Sequence, residues 1–237
     1  MKIVINHLTR MHGAHVCMAG VDVETRRHVR PVLAHEAVPF YLLARYGGAF
    51  DMARLLDLGD ARPQPEPPHV EDHVFVPSRV RAERTVTHGE FWTLLEEMSR
   101  PRLADLFGPA LRPRGGAHCG TDVGQGTASL GCLRLAAPPR LYLQPRPGAQ
   151  PQVRMHFSDG QIEADASVTD LRLFASDHAT PDAAAIRAAT ERLRHSEGII
   201  LAVGLTRKFR SSETQPYAHW LQVNNIHLRE EPVWQLE

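Results

Sequence analysis

The segment 203–228 carries the side chains whose types and spacing best suit a phosphate-bearing ligand. Arg207, Lys208 and Arg210 lie close together and can neutralise phosphates, while Phe209 and Trp220 offer flat faces for stacking bases. We therefore predict a basic groove with stacked bases, to which a strand near the start of the chain contributes one more arginine. The predicted nucleic-acid-binding residues are Arg30, Arg207, Lys208, Phe209, Arg210, His219, Trp220, Gln222 and Asn224.

Each of these side chains also has an ordinary structural interpretation. Trp220 is as well suited to filling a core as to stacking, because this chain has few aromatic residues. The cations at 207–210 can form a solvated turn with Glu213 as counter-ion, and Arg30 can pair with Asp22 or Glu24. Gln222 and Asn224 can contact base edges, but an asparagine pair such as Asn224 and Asn225 also forms turns and bulges. Both interpretations stay open at this point.

No nucleophile, base and acid stand in a recognisable catalytic pattern, so we predict a protein that binds without catalysing a reaction. One alternative is a hydrolase or transferase acting on a nucleotide-like ligand, with His12 or His219 as acid–base and the arginines as an anion clamp. Convergent histidines in a deep pocket would favour it. Another alternative is a protein-interaction module of a bacterial stress or defence system, which a flat apolar surface with internally paired arginines would favour.

Histidines and cysteines approach one another in sequence at two places, near the start and near the middle of the chain. Their spacing fits no standard zinc module, and thiols in strands are usually inert small hydrophobes. We therefore predict no metal and no cofactor, with a structural zinc assembled from both halves as the open alternative. The candidate ligands are His12, His15, Cys17, His118, Cys119 and Cys132.

The composition is that of an ordinary soluble protein. The chain has 237 residues, of which 43% are hydrophobic and 23% are charged, which argues against disorder. Its 27 basic and 27 acidic side chains cancel, so the whole-molecule field would not attract a polyanion, and only a local basic groove remains. No apolar run reaches about 20 residues, and the start is too polar for a signal sequence. We expect a cytoplasmic protein with no membrane contact, whose partners are single-stranded nucleic acid or a nucleotide, with a protein partner or self-association possible.

Two groups of strands position these residues. In the first half, apolar runs at 3–5, 16–23 and 28–33 predict strands, with Pro31 placing the third at an edge or at a bulge. Thr87 and Glu90 form a capping box that begins a helix ending before Pro101. In the second half, strands are predicted at 128–135, 141–143, 152–157, 161–166, 199–205 and 220–228, with a helix beginning at Thr180. The glycine- and proline-rich run 108–116 predicts two halves, 1–112 and 113–237, each a small OB-like barrel in a β-rich α+β fold with connecting helices.

Five short stretches carry a family resemblance. They are VCMAGVDV at 16–23, HVRPVL at 28–33, GTASLGCLRL at 126–135, VGLTRKF at 203–209 and HWLQVNNI at 219–226. Together they resemble the bacterial dual-OB-containing domain family over nearly the full length. The resemblance implies two OB-type barrels and, by analogy with such barrels, binding of nucleic acid or a nucleotide. It implies no catalytic residues that could be carried over to this chain.

Overall fold

The computed structural model describes residues 1–11, 13–210, 216–234 and 236. Most of its regular structure is strand, which confirms the predicted β-rich fold, and the strands form two sheets. The strands of the first sheet are β1 Lys2–Arg10, β2 Val16–Asp22, β3 His28–Val32, β4 Arg54–Asp57, β5 Arg62–Pro63, β6 Asp72–Val74 and β7 Arg81–Thr85. Those of the second are β8 Ser99–Arg100, β9 Arg112–Pro113, β10 Cys119–Asp122, β11 Leu130–Leu135, β12 Arg140–Arg146, β13 Ala149–Ser158, β14 Glu163–Val168, β15 Ile199–Leu205 and β16 Ala218–Leu228.

The two sheets share one set of strand pairings. The first has the order β5-β6-β3-β2-β1-β4-β7, and the second has β12-β13-β14-β16-β15-β11-β8, with β10 paired to β16 and to β9. In the first, β1 pairs antiparallel with β2 and β4, β2 antiparallel with β3, and β3 parallel with β6. In the second, if β11 and β12 are counted as two parts of one strand, the pairs β12·β13, β11·β15, β13·β14 and β14·β16 repeat these four relations in the same order. The structure thus contains a duplication that is not visible as a repeat in the sequence.

Pro31 lies in an interior strand, so the predicted edge or bulge is wrong. The antiparallel pairing of β3 with β2 ends at Val29, and its parallel pairing with β6 begins at Arg30. Proline has no N–H to donate, and here the ladder on the β2 side has already ended. Pro31 and the residues after it consequently border an opening between β2 and β3.

Within the described residues three α-helices lie between strands: α1 His88–Met98, α2 Leu103–Phe107 and α3 Ala183–His195. The predicted capping box is present, because the Thr87 hydroxyl accepts from the Glu90 N–H and the Glu90 carboxylate accepts from the Thr87 N–H. Helix α3 is capped by Asp182 and not by Thr180, since its carboxylate accepts from two N–H groups of the first turn. Short 3-10 turns occur at Phe40–Leu42, Ala44–Tyr46, Pro77–Arg79, Gly108–Ala110 and Leu171–Leu173.

Two hydrophobic cores correspond to the two sheets. The first is built on β1, β2 and α1 and also takes in Cys132 and Ile200 of the second sheet and Trp234 near the end of the chain. The second is built on α2, α3 and β11 to β16. The first sheet ends at residue 85 and the second begins at residue 99, whereas the predicted boundary at 112 falls inside β9. Apolar and polar contacts along β1 and β16 join the halves.

Candidate nucleic-acid interface

Two clefts receive most of the predicted site residues. The first cleft, about 450 Å³, lies between the end of β1, the start of β2, the end of β3 and the β15–β16 connection. Arg10, Arg30, Arg207, Gln222 and Asn224 line it. The second cleft, about 640 Å³, lies over β12, β13, β14 and β16. The cationic and aromatic side chains that line it are Arg114, Arg146, Arg154, Arg210, Phe209 and Trp220. Thr206 lines both clefts, so the segment that follows it separates them.

The clefts lie on equivalent faces of the two sheets. Side chains alternate across a strand, so Val29 faces the first core while Arg30 faces away from it. In the same way Val153 and Met155 face the second core, while Arg154 between them faces the second cleft. Both clefts therefore use the outward face of the second and third strands of the shared pairing pattern.

A carboxylate neutralises two of the three arginines of the first cleft, Arg30 and Arg207. Arg30 Nε donates to Asp72 Oδ1 at 2.6 Å, and Arg207 donates to the other oxygen of Asp72, also at 2.6 Å. The second donor of Arg30 reaches the Ser129 hydroxyl at 3.1 Å, and Glu71 accepts from that hydroxyl at 2.7 Å. All of these side chains except Arg207 are buried. Arg30 is therefore held by its own protein, while Arg207 keeps 51% of its side chain exposed.

The asparagines of β16 form hydrogen bonds between the two halves. Asn224 is buried and donates to His7 Nδ1 at 3.0 Å, and Gln222 donates to Asn224 Oδ1 at 2.8 Å. Asn225 bonds both backbone groups of Leu8, accepting from its N–H at 2.6 Å and donating to its carbonyl at 3.0 Å. Gln222, which is half-buried, keeps part of its surface in the first cleft.

The second cleft keeps more of its positive charge accessible. Arg154 pairs with Asp165 at 3.1 Å, and Arg114 pairs with Asp122 at 2.5 Å. Arg210 lies over the ring of Tyr217, with its guanidinium carbon 5.3 Å from the ring centroid. Arg146 is exposed at the end of β12 and has no ion-pair partner in the part of the chain that the structure describes. Arg146 and Arg210 are therefore the exposed arginines of this cleft, whereas Arg114 and Arg154 are paired with carboxylates.

Two aromatic rings stand beside these arginines. Phe209 is 45% exposed and its ring centroid lies 6.2 Å from that of the half-buried Trp220. The Trp220 indole N–H donates to the Phe209 carbonyl at 3.2 Å, which fixes the indole against the connecting segment. Neither the fully buried nor the fully exposed interpretation describes this indole, because one part packs and another part lines the cleft.

The histidine proposed as an acid–base lies elsewhere. His219 is buried and donates from Nδ1 to the Thr206 carbonyl at 2.8 Å. Its ring makes a T-shaped contact with the His69 ring, with the two ring centroids 5.0 Å apart. His219 lines neither cleft. The other proposed acid–base, His12, and the proposed counter-ion Glu213 lie outside the described residues.

The predicted site residues thus divide between two places. Arg30, Arg207, Gln222 and Asn224 line the first cleft, and Phe209, Arg210 and Trp220 line the second. Lys208 is exposed on the separating segment and lines neither. Sequence reasoning missed four arginines of the clefts, although the alternation of polar and apolar residues along 152–157 already indicated an outward polar face. The missed arginines are Arg10, Arg114, Arg146 and Arg154.

The candidate metal ligands are also distributed differently from the predicted groups. Cys17 borders the first cleft, and Cys119 is buried, with burial raising its thiol pKa to about 11. His118 contacts Arg154 at 3.0 Å. Cys132 alone of the candidates lies in a group of metal-competent side chains among the described residues, together with His7 and His28.

The strand pairings and the outward polar faces are those of a protein built from two small β-units of the same kind. The family described as dual OB-containing domain matches residues 1–226, and the chain belongs to this family. The resemblance inferred from the sequence is therefore confirmed. Comparisons with curated proteins and with solved structures gave no match. In the described residues, no helix is long and apolar enough to cross a membrane.

Proposed function

We propose that the protein binds single-stranded nucleic acid in the second cleft, without catalysing a reaction. The observation that carries the proposal is the meeting of Phe209 and Trp220 with four arginines on one outward face. Stacking on aromatic rings and neutralisation of phosphates are the two contributions that sequence-tolerant single-strand binding requires.

Strand order supports a barrel of the OB type in each half. If β11 and β12 are counted as two parts of one strand, the second sheet runs first-second-third-fifth-fourth, and its fourth strand pairs again with its first. This strand order supports a Greek-key arrangement of the OB type, and α3 lies between its third and fourth strands. OB barrels bind oligonucleotides on their second and third strands and on the loop between the fourth and fifth. The second cleft occupies that face, and Phe209 and Arg210 belong to that loop.

The distribution of cations favours a polymer over a single nucleotide. Arg146 and Arg210 border the second cleft, while Lys208 and the exposed part of Arg207 continue along the separating segment towards the first cleft. One nucleotide has too few phosphates to contact all of them. An extended strand can follow the segment from one cleft to the other.

The test measures fluorescence anisotropy of labelled single-stranded DNA and RNA at two salt concentrations. We expect binding that weakens with salt, and Arg146→Ala should reduce the log–log salt slope by about 0.7, the value for one phosphate contact on a single strand. The matched control is Arg187→Ala, since Arg187 is exposed on α3 and lines neither cleft. If mononucleotides bound as tightly as oligonucleotides, the inference that the ligand is a polymer would be wrong. The absence of any binding at low salt would contradict the proposal and favour a protein-interaction module.

A further inference from the structure

A group of metal-competent side chains lies where the two halves meet, and none of them lines either cleft. His7 belongs to β1, His28 to β3 and Cys132 to β11. One ring nitrogen of each histidine and the Cys132 Sγ all lie within 4.8 Å of one another. His7 and Cys132 are buried, while His28 is half-buried.

We propose that His7, His28 and Cys132 bind a transition-metal cation, Zn²⁺ in the first place, which links the two halves. Two imidazole nitrogens and one thiolate are ligands that Zn²⁺ accepts, and the set contains no carboxylate that would favour Mg²⁺ or Ca²⁺. Three protein ligands leave a fourth tetrahedral position for water or for a weak oxygen ligand.

The spacing of the group is close to, and slightly wider than, that of ligands around a tetrahedral ion. Zinc bonds of 2.0–2.3 Å place neighbouring ligand atoms about 3.3–3.8 Å apart. Cys132 Sγ lies 3.9 Å from His28 Nε2, and the Asn6 amide nitrogen lies 3.2 Å from that nitrogen and 3.4 Å from the sulfur. The Asn6 amide therefore adjoins two of the three proposed ligands. Its own oxygen Oδ1 is buried without a hydrogen-bond partner, and a half-turn of the amide would direct this oxygen towards them.

His7 provides a second, independent indication. It is 1% exposed, and its Nε2 has no hydrogen-bond partner, although buried polar atoms are normally paired. The other ring nitrogen, Nδ1, contacts the Asn224 amide at 3.0 Å. A metal on Nε2 would satisfy the unpaired atom, and Nδ1–H would then donate to the Asn224 oxygen once the Asn224 amide and the Gln222 amide that donates to it have both turned. Such a supporting hydrogen bond on the second nitrogen is the usual environment of a metal-bound histidine.

Binding of the cation requires one neutral ring nitrogen from each histidine and the thiolate of Cys132. On binding, the S–H bond breaks, an S–Zn bond forms and one proton passes to solvent.

The experiment titrates chelator-treated full-length protein with Co²⁺, a spectroscopic substitute for Zn²⁺. We expect one equivalent to bind and to produce the absorption band of a thiolate-to-cobalt charge transfer. Cys132→Ser should abolish this band. Cys119→Ser is the matched control, because Cys119 is also a buried thiol but belongs to no such group in the described residues, and it should leave the band unchanged.

A second variant and a second measurement test the proposal if the Cys132→Ser protein does not fold. His28→Gln changes a half-buried side chain and should weaken Co²⁺ binding at least about tenfold. Zn²⁺ should raise the thermal midpoint of the wild-type protein, because a ligand that binds only the folded state stabilises it. Wild-type protein that is folded but shows no charge-transfer band overturns the proposal. A band that persists in Cys132→Ser, or that Cys119→Ser removes, does the same.

Discussion

The two sheets have the same pairings but complete them differently. In the second sheet β15 and β16 form a long antiparallel pair, so the fourth and fifth strands are joined directly. In the first, β4 pairs with β7 and β6 with β5, and the described residues contain no pairing between β4 and β6. Glu71, next to β6, instead accepts from the N–H groups of Ser129 and Leu130 in the other half. The segment next to β6 in the first half is thus hydrogen-bonded to the second half, whereas the corresponding strand of the second half, β16, pairs with β15 of its own sheet.

The two clefts also differ in how far their arginines are buried and neutralised by carboxylates. Asp72 neutralises Arg30 and Arg207 in the first cleft from a position that is 7% exposed. In the second cleft the equivalent pair of Arg154 with Asp165 is more open, and Arg146 has no described ion-pair partner. The comparison shows that one face of a duplicated unit forms ion pairs that join the halves, while the other leaves Arg146 exposed.

The largest expected effect comes from removing Asp72, which forms the ion pairs of the first cleft. Asp72→Ala leaves the buried Arg30 without a counter-ion, and removing one member of a buried pair typically destabilises a protein by about 3–5 kcal/mol. Asp165→Ala should cost less, because its side chain is 21% exposed and solvent can reach the site. Urea unfolding followed by circular dichroism measures both free energies. Equal losses in the two variants would mean that the clefts do not differ in the way proposed.

A second prediction compares the clefts as binding surfaces. Phe209→Ala removes an exposed ring from the second cleft and should weaken oligonucleotide binding by about 1–3 kcal/mol, the usual contribution of one stacked base. Arg207→Ala should weaken it less, because the Arg207 guanidinium is already held by Asp72. The double variant of Arg207 and Lys208 should mainly flatten the salt dependence measured by anisotropy. A larger loss from Arg207→Ala than from Phe209→Ala would move the site to the first cleft.

Local signals in the sequence predicted strands β1 to β3 and β11 to β16 and helix α1, because the Thr87–Glu90 capping box and the alternation of apolar residues act over a few residues. Contacts between distant residues were not predictable. Asn224 meets His7 217 residues away, and an asparagine that bonds a histidine looks no different in sequence from one that reads a base. Cys132 was a candidate ligand, but its partners lie on two other strands. Arg146 and Arg154 were recognisable only as polar positions, since the cleft they share with Trp220 depends on the pairing of β14 with β16.

The third prediction concerns pH and the first half. His69 is 2% exposed, and burial together with Arg30 and Arg207 lowers its pKa to about 2. The unfolded chain protonates this histidine below pH 6.5 while the folded protein does not, so stability falls as the pH falls from 6.5. One such group contributes up to about 1.4 kcal/mol per pH unit.

His69→Phe keeps a ring against His219 but cannot titrate. Its free energy of unfolding, measured in urea at pH 5, 6 and 7, should change less with pH than that of the wild type. Other buried histidines with lowered pKa values, among them His227, leave a residual slope in both proteins. An unchanged slope would show that His69 is protonated equally in the folded and unfolded states.

The smallest expected effect asks whether the halves unfold together. Thr87→Ala removes the cap of α1, which packs on the first core, and Asp182→Ala removes the cap of α3, which packs on the second. Each should cost about 1 kcal/mol. Because the buried bonds of Asn224 and Asn225 join the cores, both variants should lower the midpoint of one common thermal transition seen by calorimetry. Two transitions, each shifted by only one variant, would mean that the polar junction holds the halves in place without making them one cooperative unit.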